Sequence, residues 1–127
     1  MKKTAYIFSL FASIVFANNL SAQTGSPLHL LRHIVIITFK TDSSGDSIKA
    51  LDDTYTALSK SSLVKDFELG VNVSARDTAL VKHVYVTTFA SKDDMKGYSK
   101  NPEYARLFKL SLPIADDVTV VDYWVNK

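Results

Sequence analysis

From His33 to Phe39 the chain is apolar or β-branched at both parities, with Ile34 and Ile36 on one side and Val35, Ile37 and Phe39 on the other. That is the pattern of a strand covered on both faces. After the polar break from Thr41 to Asp46, Ile48, Leu51, Tyr55 and Leu58 recur at i, i+3, i+7 and i+10, which predicts an amphipathic helix with Asp46 as its N-cap. Phe67, Leu69, Val71 and Val73 then alternate with Glu68, Gly70, Asn72 and Ser74. Strict alternation predicts a strand with one wet face, and Gly70 in its interior predicts a bulge or a close backbone approach.

A turn at Arg76-Asp77 leads to His83-Val-Tyr-Val-Thr-Thr-Phe89, which repeats the first strand 50 residues later. Both begin with His, end with Phe and are β-branched at the second, fourth, fifth and sixth positions. Ser91, with Asp94 three residues on, opens a second helix carrying Met95 and Tyr98 on one face. Asn101-Pro102 interrupts it and starts a further helical piece with Tyr104, Leu107 and Phe108, which Pro113 stops. The last strand runs from Val118 to Val125, with Tyr123 and Trp124 on opposite faces, as dimer or core residues.

Strand, helix, strand, repeated once, is the split-βαβ, ferredoxin-like α+β arrangement: a four-stranded antiparallel sheet with its helices on one face. The two His-led strands are expected side by side at the sheet centre, running parallel. The apolar residues on the uncovered face need a second cover, and a copy of the same chain is the economical one. The expected assembly is therefore a homodimer, sheet against sheet.

The amino-terminal pattern is different in kind. Lys2 and Lys3 precede an apolar run from Ala5 to Ala17, with small residues at Ser21 and Ala22, as in a cleavable export signal. The run is shorter than the roughly 20 apolar residues that span a bilayer. The expected organisation is a signal peptide over 1–22, a flexible stub over 23–30 that includes an exposed His29, and one domain over 31–127. The product would be periplasmic or secreted, with no membrane attachment after cleavage. The chain has no cysteine, so neither disulfides nor an acylated cysteine enter the picture.

Charge and motifs narrow the chemistry. Of 15 basic and 13 acidic side chains, cleavage removes Lys2 and Lys3 and leaves a balanced domain, against nucleic-acid binding. Lys92, Lys96 and Lys100 share a helix face, but Asp93 and Asp94 are interleaved, as on a solvated surface. Gly-x-Ser-x-Gly and phosphate-binding glycine loops are absent from the sequence. No metal or other cofactor is expected.

Taken together, Leu31-Arg-His33-Ile-Val-Ile-Ile-Thr-Phe39-Lys40, Phe67-Glu-Leu-Gly70, Tyr98-Ser-Lys-Asn-Pro102-Glu-Tyr104 and Ala115-Asp-Asp117-Val-Thr-Val-Val-Asp122-Tyr123 resemble the stress-responsive A/B barrel domain (Dabb) family. The resemblance covers about residues 31 to 125 and implies a dimeric α/β barrel. It implies two kinds of function: stress-associated members without assigned chemistry, and a plant branch that closes linear polyketides by aldol condensation without a cofactor. In that branch the resemblance implies an acid/base pair from a Tyr-x-x-His-Pro-x-His segment, beside the His residues of the two central strands. Tyr98 keeps the Tyr, and His33 and His83 the strand residues. Asn101 and Tyr104 stand where the family has His. A phenol is a poor base at neutral pH, so Tyr104 can donate a hydrogen bond but not replace imidazole as a base.

The candidate catalytic residues are thus His33, His83 and Tyr98, expected on one face around one cavity, with Tyr55, Tyr104, Phe39 and Phe89 as ligand-pocket residues. The structural alternative for each His is a core-edge imidazole held by backbone or a tyrosine. Three functions remain open: a dimer that binds a small apolar or aromatic molecule, a cofactor-free cyclase- or lyase-like enzyme acting on a carbonyl compound, and a structural interaction module. Protein recovered from the producing cell's envelope or medium is expected to begin at Gln23, and intact-mass measurement checks this. A chain that still carries Met1 would refute export with cleavage.

Overall fold

A computed structural model describes residues 29–77 and 80–125; the segment expected to be an export signal and most of the expected stub lie outside them. The elements are β1 (Leu30–Phe39), α1 (Gly45–Leu58), β2 (Val64–Val71), β3 (Lys82–Phe89), α2 (Lys92–Ser99), α3 (Pro102–Ser111) and β4 (Ala115–Val125). They form a four-stranded sheet in the order β2-β3-β1-β4, antiparallel throughout. This is the expected ferredoxin-like α+β fold. No helix among the described residues is long and apolar enough to cross a membrane.

One expectation about the sheet fails. β1 and β3 are central neighbours, but they run antiparallel, with His33 opposite Thr87 and His83 opposite Ile37. The connections force this. The α1 crossover returns β2 in the direction of β1, and the short β2–β3 connection, closed by Asn72 N–H donating to the Lys82 carbonyl, reverses β3. The two histidines therefore share a face but sit at opposite ends of the strand pair, four residues apart in register, roughly 13 Å along the sheet.

The helix-covered face holds the core. Leu31, Val35, Ile37 and Phe39 of β1 and Tyr85 and Phe89 of β3 are buried against Leu51, Tyr55 and Leu58 of α1, Tyr98 of α2 and Leu107 of α3. The helix starts are local events. Ser44, two residues before the expected Asp46, caps α1 by accepting from Ser47 N–H, because Ser44 has the extended backbone a cap needs. Asp46 sits in the first turn, where its charge favours the helix dipole. Ser91 accepts from Asp94 N–H at the start of α2, and Asn101 with Pro102 opens α3 as expected.

The opposite face carries Ile34, Ile36, Val84, Val86, Val121 and Tyr123 in adjoining rows, with no helix of the described residues over it. Gly70 lies in the edge row of that face opposite Val84. It is neither bulged nor crowded: a methyl group there would meet nothing within 4 Å, and the irregularity in β2 falls between Val64 and Asp66. Tyr123 and Trp124 are partly exposed at 41% and 38% rather than core residues, since β4 is an edge strand beyond the reach of α1. Leu51 is fully buried at the centre of the helix layer, so Leu51→Ala is expected to cost about 2–5 kcal/mol of unfolding free energy in urea titration. Val73→Ala, at an exposed position, should change it by less than about 0.5 kcal/mol.

Candidate functional site

Two histidine–carboxylate pairs occupy the two ends of the covered face. At one end, His33 on β1 lies opposite Asp122 on β4, and its Nδ1 donates to the Asp122 carboxylate at 2.5 Å. Donation from Nδ1 fixes the tautomer, so the neutral ring presents Nε2 as an acceptor. The imidazole is mostly buried, with 13% of the side chain exposed, while Asp122 is 42% exposed. At the other end, His83 Nδ1 donates to Asp52 of α1 at 2.9 Å, and the Tyr85 hydroxyl donates to the same oxygen at 2.7 Å. This second cluster ties α1 to β3, with the Phe39 ring edge-on to His83 and Tyr55 stacked on Tyr85 at 3.9 Å.

The candidate residues therefore do not converge as the sequence suggested. His33, Tyr98 and Tyr104 come together around a small cavity of about 140 Å³ that Met95, Lys96, Ser99 and Asp122 complete. His33 and Tyr104 also face a larger cavity of about 490 Å³, bounded by β1, β4, α1 and α3, with Val35, Ile37, Tyr55, Leu107, Val118 and Val120 on its walls. His83 faces neither, because the antiparallel pairing carries it to the far end and Asp52 holds it there. Phe39 and Phe89, expected in the pocket, are core residues at 1% and 0% exposure. Phe89 packs against Tyr98, and an aromatic series continues from Tyr98 through Tyr104 to Phe108 at the mouth of the larger cavity.

The tyrosines are donors rather than bases. Burial pushes the Tyr98 phenol up to about 12 and the nearby Thr87 side chain lowers it in part, while no group meets its buried oxygen at hydrogen-bond distance and angle. Burial also raises Tyr55 and Tyr104, the latter further through the Asp122 carboxylate. Burial raises Tyr85 as well, with its hydrogen bond to Asp52 adding to the effect. An imidazole oriented by a carboxylate, with phenols that stay protonated beside it, can accept a proton at one atom and hydrogen-bond an oxygen at another. Asp52 and Asp122 are site residues that sequence reasoning misses. A lone carboxylate within the apolar run from Val118 to Val125 is the signal that Asp122 gives.

The sequence profile of the stress responsive A/B barrel domain matches residues 31–125. The chain is 27% identical over 99 residues to a stress-response A/B barrel domain-containing protein of Arabidopsis thaliana, covering 77% of this chain but only 38% of that relative. Among solved structures, the hydroxynitrile lyase from Passiflora edulis is similar with a TM-score of 0.70 and 25% identity, covering 80% of this chain and 97% of its own. A dimeric ferredoxin-like protein of unknown function from Thermobifida fusca aligns with a TM-score of 0.66 at 14% identity over 76% of this chain and 92% of its own. A Dabb family protein from Mesorhizobium loti aligns at 0.61 and 22% over 75% and 95%.

The two buried phenols should respond oppositely to loss of the hydroxyl. Tyr85→Phe removes a bond to a carboxylate and is expected to cost about 1.5–3 kcal/mol, whereas Tyr98→Phe removes an unpartnered group and should be neutral or stabilising by about 1 kcal/mol. The Tyr98 value lies above its ordinary value of 10.0, so the folded state holds the proton longer than the unfolded chain. Its contribution is complete below pH 10 and is lost as pH rises through 10 toward 12, at no more than about 1.4 kcal/mol per pH unit. Alkaline unfolding curves of wild type and Tyr98→Phe check this: the variant should show the shallower decline.

Proposed function

The chain belongs to the stress-responsive A/B barrel domain family, and on that footing we propose that it is a homodimer holding one small, largely apolar or aromatic molecule per subunit in the larger cavity. The observation that carries this reading is the cavity itself: about 490 Å³ of space with mainly apolar walls, His33, Tyr55 and Tyr104 among its polar groups, and Ser111, Asp116 and Asp117 at its boundary. Space of that size and character suits a small-molecule ligand. The dimer is supported by the uncovered face of Ile34, Ile36, Val84, Val86 and Val121, a patch that would remain in water in a monomer. Similar folds described as dimeric, from Thermobifida fusca and Bacteroides fragilis, support it too. Export after cleavage behind Ala22 is part of the proposal and rests on Lys2, Lys3 and the apolar run that follows.

The His33–Asp122 pair favours a second reading, a cofactor-free lyase- or cyclase-like enzyme. His33 Nε2 would take a proton from a substrate hydroxyl or carbon acid. Asp122 would stabilise the imidazolium, and Tyr104 or Tyr98 would hydrogen-bond the substrate oxygen. The similarity to a hydroxynitrile lyase makes hydroxynitriles and their carbonyl products the first compounds to try. His83 has no part in this scheme.

Sedimentation at micromolar concentration is expected to give twice the subunit mass, and a monomer would overturn the dimer. Fluorescence titration with naphthylmethanol, a neutral aromatic probe, should show saturable binding that Val120→Trp abolishes by filling the cavity. Absent binding, or binding indifferent to Val120→Trp, would overturn the ligand reading. If turnover of a carbonyl or hydroxynitrile compound is found, His33→Ala and Tyr98→Phe should each lower kcat/KM by about a hundredfold or more. Full activity in either variant would exclude that residue from the chemistry.

A further inference from the structure

Arg32 stands apart on the sheet face that no helix of the described residues covers. It lies on β1 between Thr88 of β3 and Tyr123 of β4, next to the row of Val86, Ile34 and Val121. The residue is half-buried, and its guanidinium Nε is buried with no hydrogen-bond partner. Leaving a charged donor in that state works against stability, and the fixed fork of a guanidinium suits a carboxylate.

Two carboxylates sit on the same face without a cation. Asp66 of β2 is opposite Thr88 and Glu68 is opposite Val86, and both are exposed. Among the described residues neither of them enters an ion pair, and nor does Arg32. β3 separates them, which puts Asp66 two strands, roughly 10 Å, from Arg32. Lys82, in the row of Thr38, is already held by Asp77. Beside these charges lies an apolar block of Ile34 and Ile36 on β1 and Val84 and Val86 on β3. A face with an apolar block and both signs of charge, each unpaired within its own chain, is self-complementary, as a two-fold contact between identical chains requires.

Resting on the dimer reading above, we propose that Arg32 of each subunit meets Asp66 and Glu68 of the partner subunit, which fixes the two sheets face to face with their two-fold axis along the strands. That axis lays β1 over the partner's β3 and β4 over the partner's β2. Ile34 and Ile36 then stack on valines rather than on each other. Arg32 comes over Thr88 of the partner subunit, one strand from Asp66 of the partner subunit. Sheets packed in this way lie about 10 Å apart, a gap that an arginine and a carboxylate span together. An axis across the strands would instead lay β1 on β1 and carry Arg32 toward Asp117 of the partner subunit. It would leave Asp66 and Glu68 without the guanidinium, and Asp117 already accepts from Thr119 of its own strand.

Exchanging the charges between two chains tests the arrangement. Sedimentation of the intact protein over a concentration series should show Arg32→Glu and, separately, the Asp66→Lys, Glu68→Lys double variant self-associating at least about tenfold more weakly than wild type, because each brings like charges together in the interface. An equimolar mixture of the two should regain wild-type association, since in the mixed dimer one contact is native and the other is reversed in sign. Contacts within one chain cannot produce that rescue. Circular dichroism checks that each variant is folded. If Arg32→Glu does not fold, Arg32→Gln, which keeps the bulk, should weaken association several-fold. Asp117→Lys should leave association unchanged. Undiminished association of a folded Arg32 variant, a mixture that stays monomeric, or rescue of Arg32→Glu by Asp117→Lys in place of the β2 variant would overturn this arrangement while leaving the dimer reading intact. A monomeric wild type would overturn the dimer reading, and the arrangement with it.

Discussion

The antiparallel pairing of β1 with β3 is the contact against which the rest of the molecule is arranged. It lines Leu31, His33, Val35, Ile37 and Phe39 up with Phe89, Thr87, Tyr85 and His83 on one face, and the helices bury that face almost completely. The same pairing turns Ile34, Ile36, Val84 and Val86 to the other side. One registration thus creates both a packed core and an apolar surface. Slipping it by one residue would exchange the two.

The site follows from where the cover stops. α1 and α3 pack together over the sheet centre, while β4 extends as an edge strand with Val118 and Val120 about half exposed. Between that edge and α3 the layers do not meet, and the larger cavity is the gap. His33 lies at the boundary between buried core and gap. It is close enough to the edge strand to bond Asp122 and deep enough to be shielded from solvent. His83, at the opposite end, lies under α1 instead, where Asp52 and Tyr85 absorb its hydrogen-bonding capacity. Two histidines equivalent in the sequence repeat thus have different neighbours, one facing usable space and the other fastening a helix.

Tyr98 shows how tightly the site is tied to the core. Its ring packs on Phe89 and Tyr104, yet its hydroxyl is buried without a bond. Leaving a polar group in that state works against stability, which is why the hydroxyl is a better candidate for a functional contact than that of Tyr85, which Asp52 already accepts. Burial keeps it protonated far above neutrality, and a protonated phenol beside an oriented imidazole is complementary to it: one gives a hydrogen bond where the other takes a proton.

The alternation in β2, the i, i+3, i+7 spacing of α1, the Asn101-Pro102 start of α3 and the His-led repeat were enough to set the element order, the fold class and the uncovered face. These are local periodicities and caps, and short-range sterics and burial fix them within a few residues. What the chain could not reveal locally was direction and distance. A repeat of 50 residues looks like translation, and only the reversal of β3 by its connection to β2 shows that the two histidines lie at opposite ends. Asp52 is an ordinary surface carboxylate by spacing, and Asp122 stands out only as the lone carboxylate of an apolar run. They become partners of His83 and His33 because α1 crosses β3 and β4 pairs with β1, contacts between residues 31 and 89 positions apart. Phe39 and Phe89 looked like pocket residues because they share a face with the histidines. Whether a side chain on that face meets a neighbouring ring or open space is decided by where the helices end, and that is settled only when the layers pack.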